Sequence, residues 1–480
     1  MESLRAFGYS PETAIADLVD NSIAAQSTKI AVQFRWDGHD SWIAVLDNGH
    51  GMSEQGLREA MRAGSANPLD ARDPRDLGRF GLGLKTASFS QCRRLTVMSA
   101  VGTGPPATRA WDLDLIGSTG EWRLMAEERP DDMRIWSELN SAGRGTLVIW
   151  RQLDRIVDPR GSASELSERH FYGIADRVVQ HLSIIFHRFL RGAGRLSIQV
   201  NGRSLKPWDP FLEDSAATQA LGDEAMTYRG HPIRVRSFVL PHLTRLRPEE
   251  YRAAEGPRGW AAHQGFYVYR NRRLIVTGDW LGLGFARDEP TKLARIQLDL
   301  PNSMDQDWQL DVRKSVARPP AALAPQLRRI AEVARRGSVQ VYRHRGKVIE
   351  RSAGGDVSYA WEQTIRGGNI AYRINRRNPA VEALLHRPDD GPLTEALLRM
   401  LEETVPIPLI VLDHVSGDSR LAAPFDGAGM DEVTAVMRAL SRALRDSGLG
   451  SDEAARRLSS MEPFCDYPQL IAEMTTEETS

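Results

Sequence analysis

Three short segments carry residue types that could do chemistry. In Asp17-Leu18-Val19-Asp20-Asn21-Ser22, a carboxylate and a carboxamide stand four residues apart and share one face if the segment is helical. A carboxylate that can orient water, one turn from an amide oxygen that can ligate a hard cation, is what metal-assisted phosphate hydrolysis requires. A solvated helix face often carries the same pair, so this segment says little alone. In Asp47-Asn48-Gly49-His50-Gly51-Met52 the aspartate can accept a hydrogen bond from an exocyclic amine such as that of adenine, and the glycines admit a flat ring or a phosphate to the backbone. A hairpin turn would use those glycines equally well. In Gly78-Arg79-Phe80-Gly81-Leu82-Gly83-Leu84-Lys85-Thr86-Ala87-Ser88, three glycines lead into a helix start, a cradle of N–H groups for phosphate with Lys85 adding charge. It is not a Walker A loop, because Leu84 displaces the lysine by one, and a dinucleotide fingerprint would need glycine where Thr86 stands.

These segments need elements to hold them. Ser10-Pro11-Glu12, followed by Ala14, Ile15, Leu18, Val19, Ser22 and Ile23 at helical spacing, predicts a first helix. Residues 29–36 alternate as a strand, and a second strand, 42–46, runs directly into the Asp47 turn. The stretch 64–79, rich in turn formers and charge, reads as a mobile loop. A helix is expected from Gly83 to Ser90, then strands at 95–99, 108–115 and 146–150. Leu166, Phe171, Ile174, Val178, Leu182, Ile185 and Phe189 mark a long amphipathic helix within 163–190. Beyond it, Leu196 to Val200 with Asn201-Gly202 is a hairpin signal, and strands at 233–240, 265–269, 273–276 and 293–300 predict a second αβ domain. A helix over 321–336 follows.

The 480 residues allow about three domains, and 41% hydrophobic with 26% charged residues excludes disordered and fibrous classes. The net charge of -1 gives no global signal for nucleic acid or membrane, but it conceals a local asymmetry. Residues 313–351 hold eleven Lys/Arg against Glu332 and Glu350, whereas residues 400–480 hold fifteen acids against six Arg. Cys92 and Cys465 alone exclude a disulfide framework or a Cys-rich zinc module. No signal-peptide core and no apolar run of about 20 residues is present. A soluble, cytoplasmic protein without membrane attachment is expected.

Taken in order, Asp-x-x-x-Asn on a helix, Asp-x-Gly-x-Gly, a loop, Gly-x-x-Gly-x-Gly-x-Lys and a late Gly145-Thr146 resemble the GHKL ATPase superfamily, with its Bergerat nucleotide-binding fold. The resemblance implies ATP and magnesium as ligands. Asn21 would ligate magnesium and Asp47 would take the adenine amine. Gly49, Gly51 and Thr146 would line the base pocket, and Met52 would also bind the nucleotide. Residues 64–85, with Gly78, Gly81, Leu82, Gly83 and Lys85, would close over the phosphates as a lid. The family's usual general base is glutamate where Asp17 stands, one methylene shorter, which implies slow turnover. Asn201-Gly202-Arg203 and Gly265 to Ile275 are similar to the transducer domain of MutL, type II topoisomerases and, most closely, MORC-type ATPases. Leu310 to Ser315 sits where that domain supplies a cation to the γ-phosphate, which would be Lys314, with Arg313 as fallback.

The implied fold class is α+β: a Bergerat helix-on-mixed-sheet ATPase domain (1–162), a connecting helix (163–195), an αβ transducer domain (196–335) and a mixed, largely helical C-terminal region (336–480) that resembles nothing identifiable. Trp150, Trp361 and Tyr372 read as core residues. The resemblance is closest to prokaryotic MORC/MutL-like proteins of restriction and phage-defence systems. It implies an ATP-gated, nucleotide-dependent homodimeric clamp acting on DNA through residues 313–351 or on restriction or defence partner proteins. A chaperone-like ATPase acting on proteins shares the same ATP site, and a nucleotide-sensing scaffold with little turnover fits Asp17.

Overall fold

A computed structural model describes residues 5, 8–62, 83–102, 104–126, 129–139, 143–157, 165–192, 195–310, 317–343, 360–366, 369–385, 391–405, 425, 429–446, 448–461 and 463–477. The expected loop 64–79 lies outside them. Helix α1 (Pro11–Ala24) begins as the sequence demands, with the Ser10 side chain accepting from the Thr13 N–H and Pro11 in the first turn, where its missing N–H costs nothing. Ala14, Ile15, Leu18 and Val19 are buried along it.

A seven-stranded sheet is built from β1 (Lys29–Arg35), β2 (Trp42–Asp47), β3 (Arg94–Ala100), β4 (Ala107–Asp112), β5 (Gly145–Arg151), β6 (Ser197–Val200) and β7 (Arg203–Ser204), in the order β4-β3-β5-β2-β1-β6-β7. β6 lies parallel to β1, and the other pairings are antiparallel. The hairpin at 197–204, which sequence assigned to the second domain, therefore extends the first sheet. Its turn residue Asn201 explains why: its side-chain oxygen accepts from Phe34 N–H at 2.7 Å and its backbone N–H donates to Val32. The strand expected over 108–115 ends at Asp112, whose carboxylate accepts from the N–H groups of Asp114 and Leu115 and starts helix α4 (Leu113–Thr119).

The alternation of each strand splits the sheet's side chains between two layers. Ile43, Val45, Leu95, Val97, Val148 and Trp150 belong to the core shared with α1, α3 (Gly83–Phe89) and α6 (Glu165–Ile185). Ala44, Leu46, Met98, Leu147 and Ile149 pack with Ile135 and Trp136 of α5 (Pro130–Leu139), which is fastened by the buried Arg151–Asp132 ion pair.

The second sheet has the order β11-β10-β12-β9-β8, from β8 (Gln219–Tyr228), β9 (His231–Val239), β10 (Gly265–Arg270), β11 (Arg273–Asp279) and β12 (Ala294–Leu300). Phe266, Val268, Ile296 and Leu298 pack with Leu327, Ile330 and Ala334 of the long helix Ala324–Arg343. Tyr267, Tyr269 and Leu274 instead join the same core as Val178 and Leu182 of α6. That core thus runs without a break from the first sheet through α6 into the second. At this joint the buried His187 ring bonds the Ile184 carbonyl at 2.8 Å and the Tyr269 hydroxyl at 3.2 Å.

Residues 1–348 and 349–480 form two separate units. In the second, a hairpin, Trp361–Arg366 with Asn369–Ile374, accompanies helices whose core holds Val433, Met437, Leu444, Leu458 and Phe464. Trp150 is buried, but Trp361 and Tyr372, expected in the core, are 44% and 45% exposed on this two-stranded hairpin, where Ile374, the cross-strand partner of Trp361, is the residue that is buried. Among the described residues no helix is long and apolar enough to cross a membrane.

Burial lowers the His187 pKa to about 4, so the ring stays neutral in the folded state while it protonates in the unfolded chain near 6.5. The unfolded state then binds more protons between these values, so stability falls as pH drops from 6.5 towards 4. Urea midpoints measured across this range should fall, and His187→Gln should remove about 2 kcal/mol of the decline.

Candidate functional site

Three strands bring one residue each into a row. Asp47 pairs with Thr146 and Thr146 with Ser99, so the ends of β2, β5 and β3 present a carboxylate and two hydroxyls side by side. Ser99 Oγ lies 2.9 Å from Thr146 Oγ1, donates to the Gly145 carbonyl and accepts from Met52 N–H at 2.8 Å. Asp47 is buried: its Oδ1 accepts from Gly49 N–H at 2.8 Å and its Oδ2 from the Ser22 hydroxyl at 3.0 Å. Desolvation raises its pKa, against the opposing pull of the Gly49 N–H, the Ser22 hydroxyl and the Thr146 N–H. Each carboxylate oxygen can accept more than one hydrogen bond, so the group keeps capacity for a donor from outside.

Two glycines make this row possible. Gly51 has φ +67°, and a β-carbon there would stand 2.0 Å from the Ala100 carbonyl oxygen. Gly145 has φ +119°, and a β-carbon would stand 1.9 Å from the Asp47 carbonyl oxygen. Asn48 is structural, its side-chain oxygen accepting from the N–H groups of Thr28 and Lys29.

Helix α1 adds the second wall. Asp17 is buried, and its Oδ2 accepts from the Tyr9 hydroxyl at 2.8 Å. A β-carbon on Gly83, the first residue of α3, would lie 3.9 Å from that same oxygen, so the two come together. Asn21, one turn on, is exposed. Asp20, between them in sequence, is tied to Arg273 of the second sheet at 2.8 Å. Lys85 is buried, with its ammonium donating to the Ala60 carbonyl at 2.9 Å and the Arg62 carbonyl at 2.5 Å. It therefore closes the C-terminal end of α2 (Glu54–Met61), where a cation also meets the negative end of the helix dipole.

Asp17, Asn21, Asp47, Gly49, Gly51, Met52, Gly83 and Thr146 thus all lie on α1, α3 and the strand ends of one domain. Gly78, Gly81, Leu82 and Lys314 fall outside the described residues. Sequence reasoning missed Tyr9, Ser22 and Ser99. Ser22 follows Asn21 directly and could have been marked as a polar residue on an otherwise apolar helix face, but Ser99 is announced only by strand register. Among the described residues no group of three or more His, Cys, Asp or Glu could hold a metal by itself. One exposed amide oxygen fits a magnesium ion that keeps its waters and is bound mainly through substrate phosphates.

The model of the family described as "Histidine kinase-, DNA gyrase B-, and HSP90-like ATPase" matches residues 9–146, from Tyr9 to Thr146. The DNA mismatch repair protein MutL of Fervidobacterium nodosum is 32% identical over 110 residues, which are 22% of this chain and 18% of that protein. The chain thus matches less than a fifth of the length of that relative. Helix-on-sheet architecture, the carboxylate at a strand end and the match agree: residues 9–146 are an ATPase domain of the GHKL superfamily, the histidine kinase-, DNA gyrase B- and HSP90-like ATPases.

Proposed function

We propose that the chain binds ATP with magnesium in this pocket, hydrolyses it slowly and uses the cycle to close a homodimeric clamp on DNA. The observation that carries the reading is the Asp47–Thr146–Ser99 row facing α1 in a domain of this family. Asp47, as carboxylate, accepts from the adenine amine, while Gly49, Gly51, Met52 and Thr146 line the base. Asn21 offers its amide oxygen to magnesium, which when bound neutralises phosphate charge. Asp17 takes the proton of the attacking water, its orientation held by the Tyr9 hydroxyl. Its side chain is one methylene shorter than glutamate, and loss of reach is the physical reason for slow turnover. Residues 64–85 cover the phosphates, and Lys314 meets the γ-phosphate. Lys85 supports that cover from the end of α2 rather than by touching phosphate.

DNA is the favoured partner because the MutL relative is named for DNA mismatch repair and because residues 313–351 are basic. Within that stretch Arg329 pairs with Glu224, and Arg335 pairs with Asp288 and stacks near Trp280 and Phe285. Among the described residues of the stretch, the exposed Arg318, Arg328 and Arg336 are then those offered to DNA. Log affinity should fall linearly with log salt, losing roughly one unit of slope for each phosphate contact removed by Arg336→Ala or Arg328→Ala. A flat salt response would favour a protein client instead.

Calorimetric titration of ATP with magnesium tests the pocket. Asp47→Asn should weaken binding at least about tenfold, the loss expected for a charge-assisted hydrogen bond. The carboxylate is the acceptor, so affinity is present above the Asp47 pKa and lost as pH falls through it, beginning at a higher pH than for an ordinary aspartate near 3.8. Unchanged affinity in folded Asp47→Asn removes the assignment.

Phosphate release and ATP affinity together separate the two residues of α1. Asp17→Asn should retain ATP binding and lose hydrolysis by about a hundredfold or more, whereas Asn21→Ala should weaken the magnesium-dependent part of binding. Hydrolysis at the parent rate in Asp17→Asn would move the base elsewhere.

A further inference from the structure

We propose that Arg273 is a positioning residue for ATP hydrolysis: through a buried ion pair with Asp20 it sets the rotation of α1 and hence the aim of Asp17. The inference rests on the reading of the pocket given above.

Asp20 follows Asp17 by three residues and precedes Asn21 by one. At about 100° per residue it lies roughly 60° around the helix from Asp17. It is 1% exposed and points out of the ATPase domain to Arg273, whose Nε donates to both carboxylate oxygens at 2.9 and 2.8 Å. Arg273 is 2% exposed, its guanidinium 5.7 Å from the Phe186 ring. A carboxylate held by a planar guanidinium at this burial cannot swing without stranding both charges.

The arginine is itself held. Arg273 opens β11 and pairs across the hairpin with Arg270, which closes β10. The two residues between them, Asn271 and Arg272, have φ +47° and +69°, the left-handed pair of a tight two-residue turn. Arg270 Nε donates to both oxygens of Asp305 at 2.8 and 3.0 Å, again buried. Arg272 donates to the Arg188 carbonyl and lies over the Phe189 ring at 4.9 Å. The hairpin tip is thus fixed to Asp305 of its own domain on one side and to the segment just after α6 on the other, and presents one arginine to α1. Two ion pairs on neighbouring strands make a rigid link from Asp305 to Asp20.

The magnitude favours a role in rate over one in binding. Side-chain ends lie about 5–6 Å from a helix axis, so a 10° rotation moves them by about 1 Å. A misplacement of 1 Å at a reacting group can cost about a hundredfold in rate. Nucleotide affinity is spread over many contacts and tolerates the same shift.

The test is a double replacement, Asp20→Asn with Arg273→Met, in the full chain. Removing both charges leaves neither buried alone, so the fold survives where a single replacement endangers it. Positioning predicts a kcat at saturating ATP at least tenfold below the parent, an ATP Kd within threefold, and partial recovery of kcat when Arg273→Lys is made alone. A double variant that hydrolyses ATP at the parent rate overturns the proposal, because a merely structural pair would change melting and not turnover. Hydrogen exchange supplies a readout independent of turnover: the amides of residues 17–22 should exchange at least tenfold faster in the double variant. If the parent neither binds nor hydrolyses ATP, the function proposed above fails, and parent-like exchange of these amides in the double variant would then overturn the positioning role separately.

Discussion

One strand register underlies the row of polar groups at the centre of the candidate site. Asp47 faces Thr146 and Thr146 faces Ser99 because β5 is inserted between β2 and β3 with no offset. Since successive side chains alternate between faces, a slip of one residue would carry the carboxylate to the α5 side and leave apolar residues facing α1. Gly145 locks the register, since only a residue without a β-carbon lets the backbone there approach the Asp47 carbonyl so closely. The chemistry of the row and the pairing of the sheet are in this sense one constraint.

The second constraint is the continuity of the core through α6. A helix between two domains could have been a linker with polar faces. Here Phe171, Ile174 and Val178 are buried with the first sheet, and Leu182, Phe186, Tyr267 and Tyr269 continue the same core. The second sheet is therefore packed as an extension of the ATPase domain, and His187 and Arg273 add polar contacts at the same joint. An ion pair and a neutral hydrogen bond in a packed joint transmit a displacement as a shift of whole elements, since packed interiors do not deform smoothly.

The parts of the fold legible in the sequence are those specified locally. The start of α1, the strand that runs into Asp47 and the helix from Gly83 follow from capping, period and turn chemistry within a dozen residues. The parts that were not legible depend on distant pairing. Ser99 comes beside Thr146 only through strand pairing, and Tyr9 beside Asp17 only through the fold of the chain before α1. The hairpin at 197–204 carries a clear turn signal, yet which sheet it joins is decided by Asn201 meeting Phe34. Lys85 lies in a glycine-rich motif that suggests phosphate, but a long side chain reaches the nearest orphan carbonyls, and those belong to α2. Trp361 and Tyr372 show the limit of composition: an aromatic residue reads as core, but on this hairpin both are exposed while the aliphatic Ile374 beside them is buried.

The Lys85 contact also fixes a distance between two elements that the sequence separates. Its ammonium joins the carbonyl of Arg62 to the helix that starts at Gly83, so the two ends of the intervening stretch of chain are already tethered to each other by the protein itself. A carbonyl carries no counter-charge to compensate the ammonium, and the lysine is held by the partial charges at the end of a helix instead. The spacing between the end of α2 and the start of α3 is therefore fixed by one side chain of α3, whatever the length of chain that joins them.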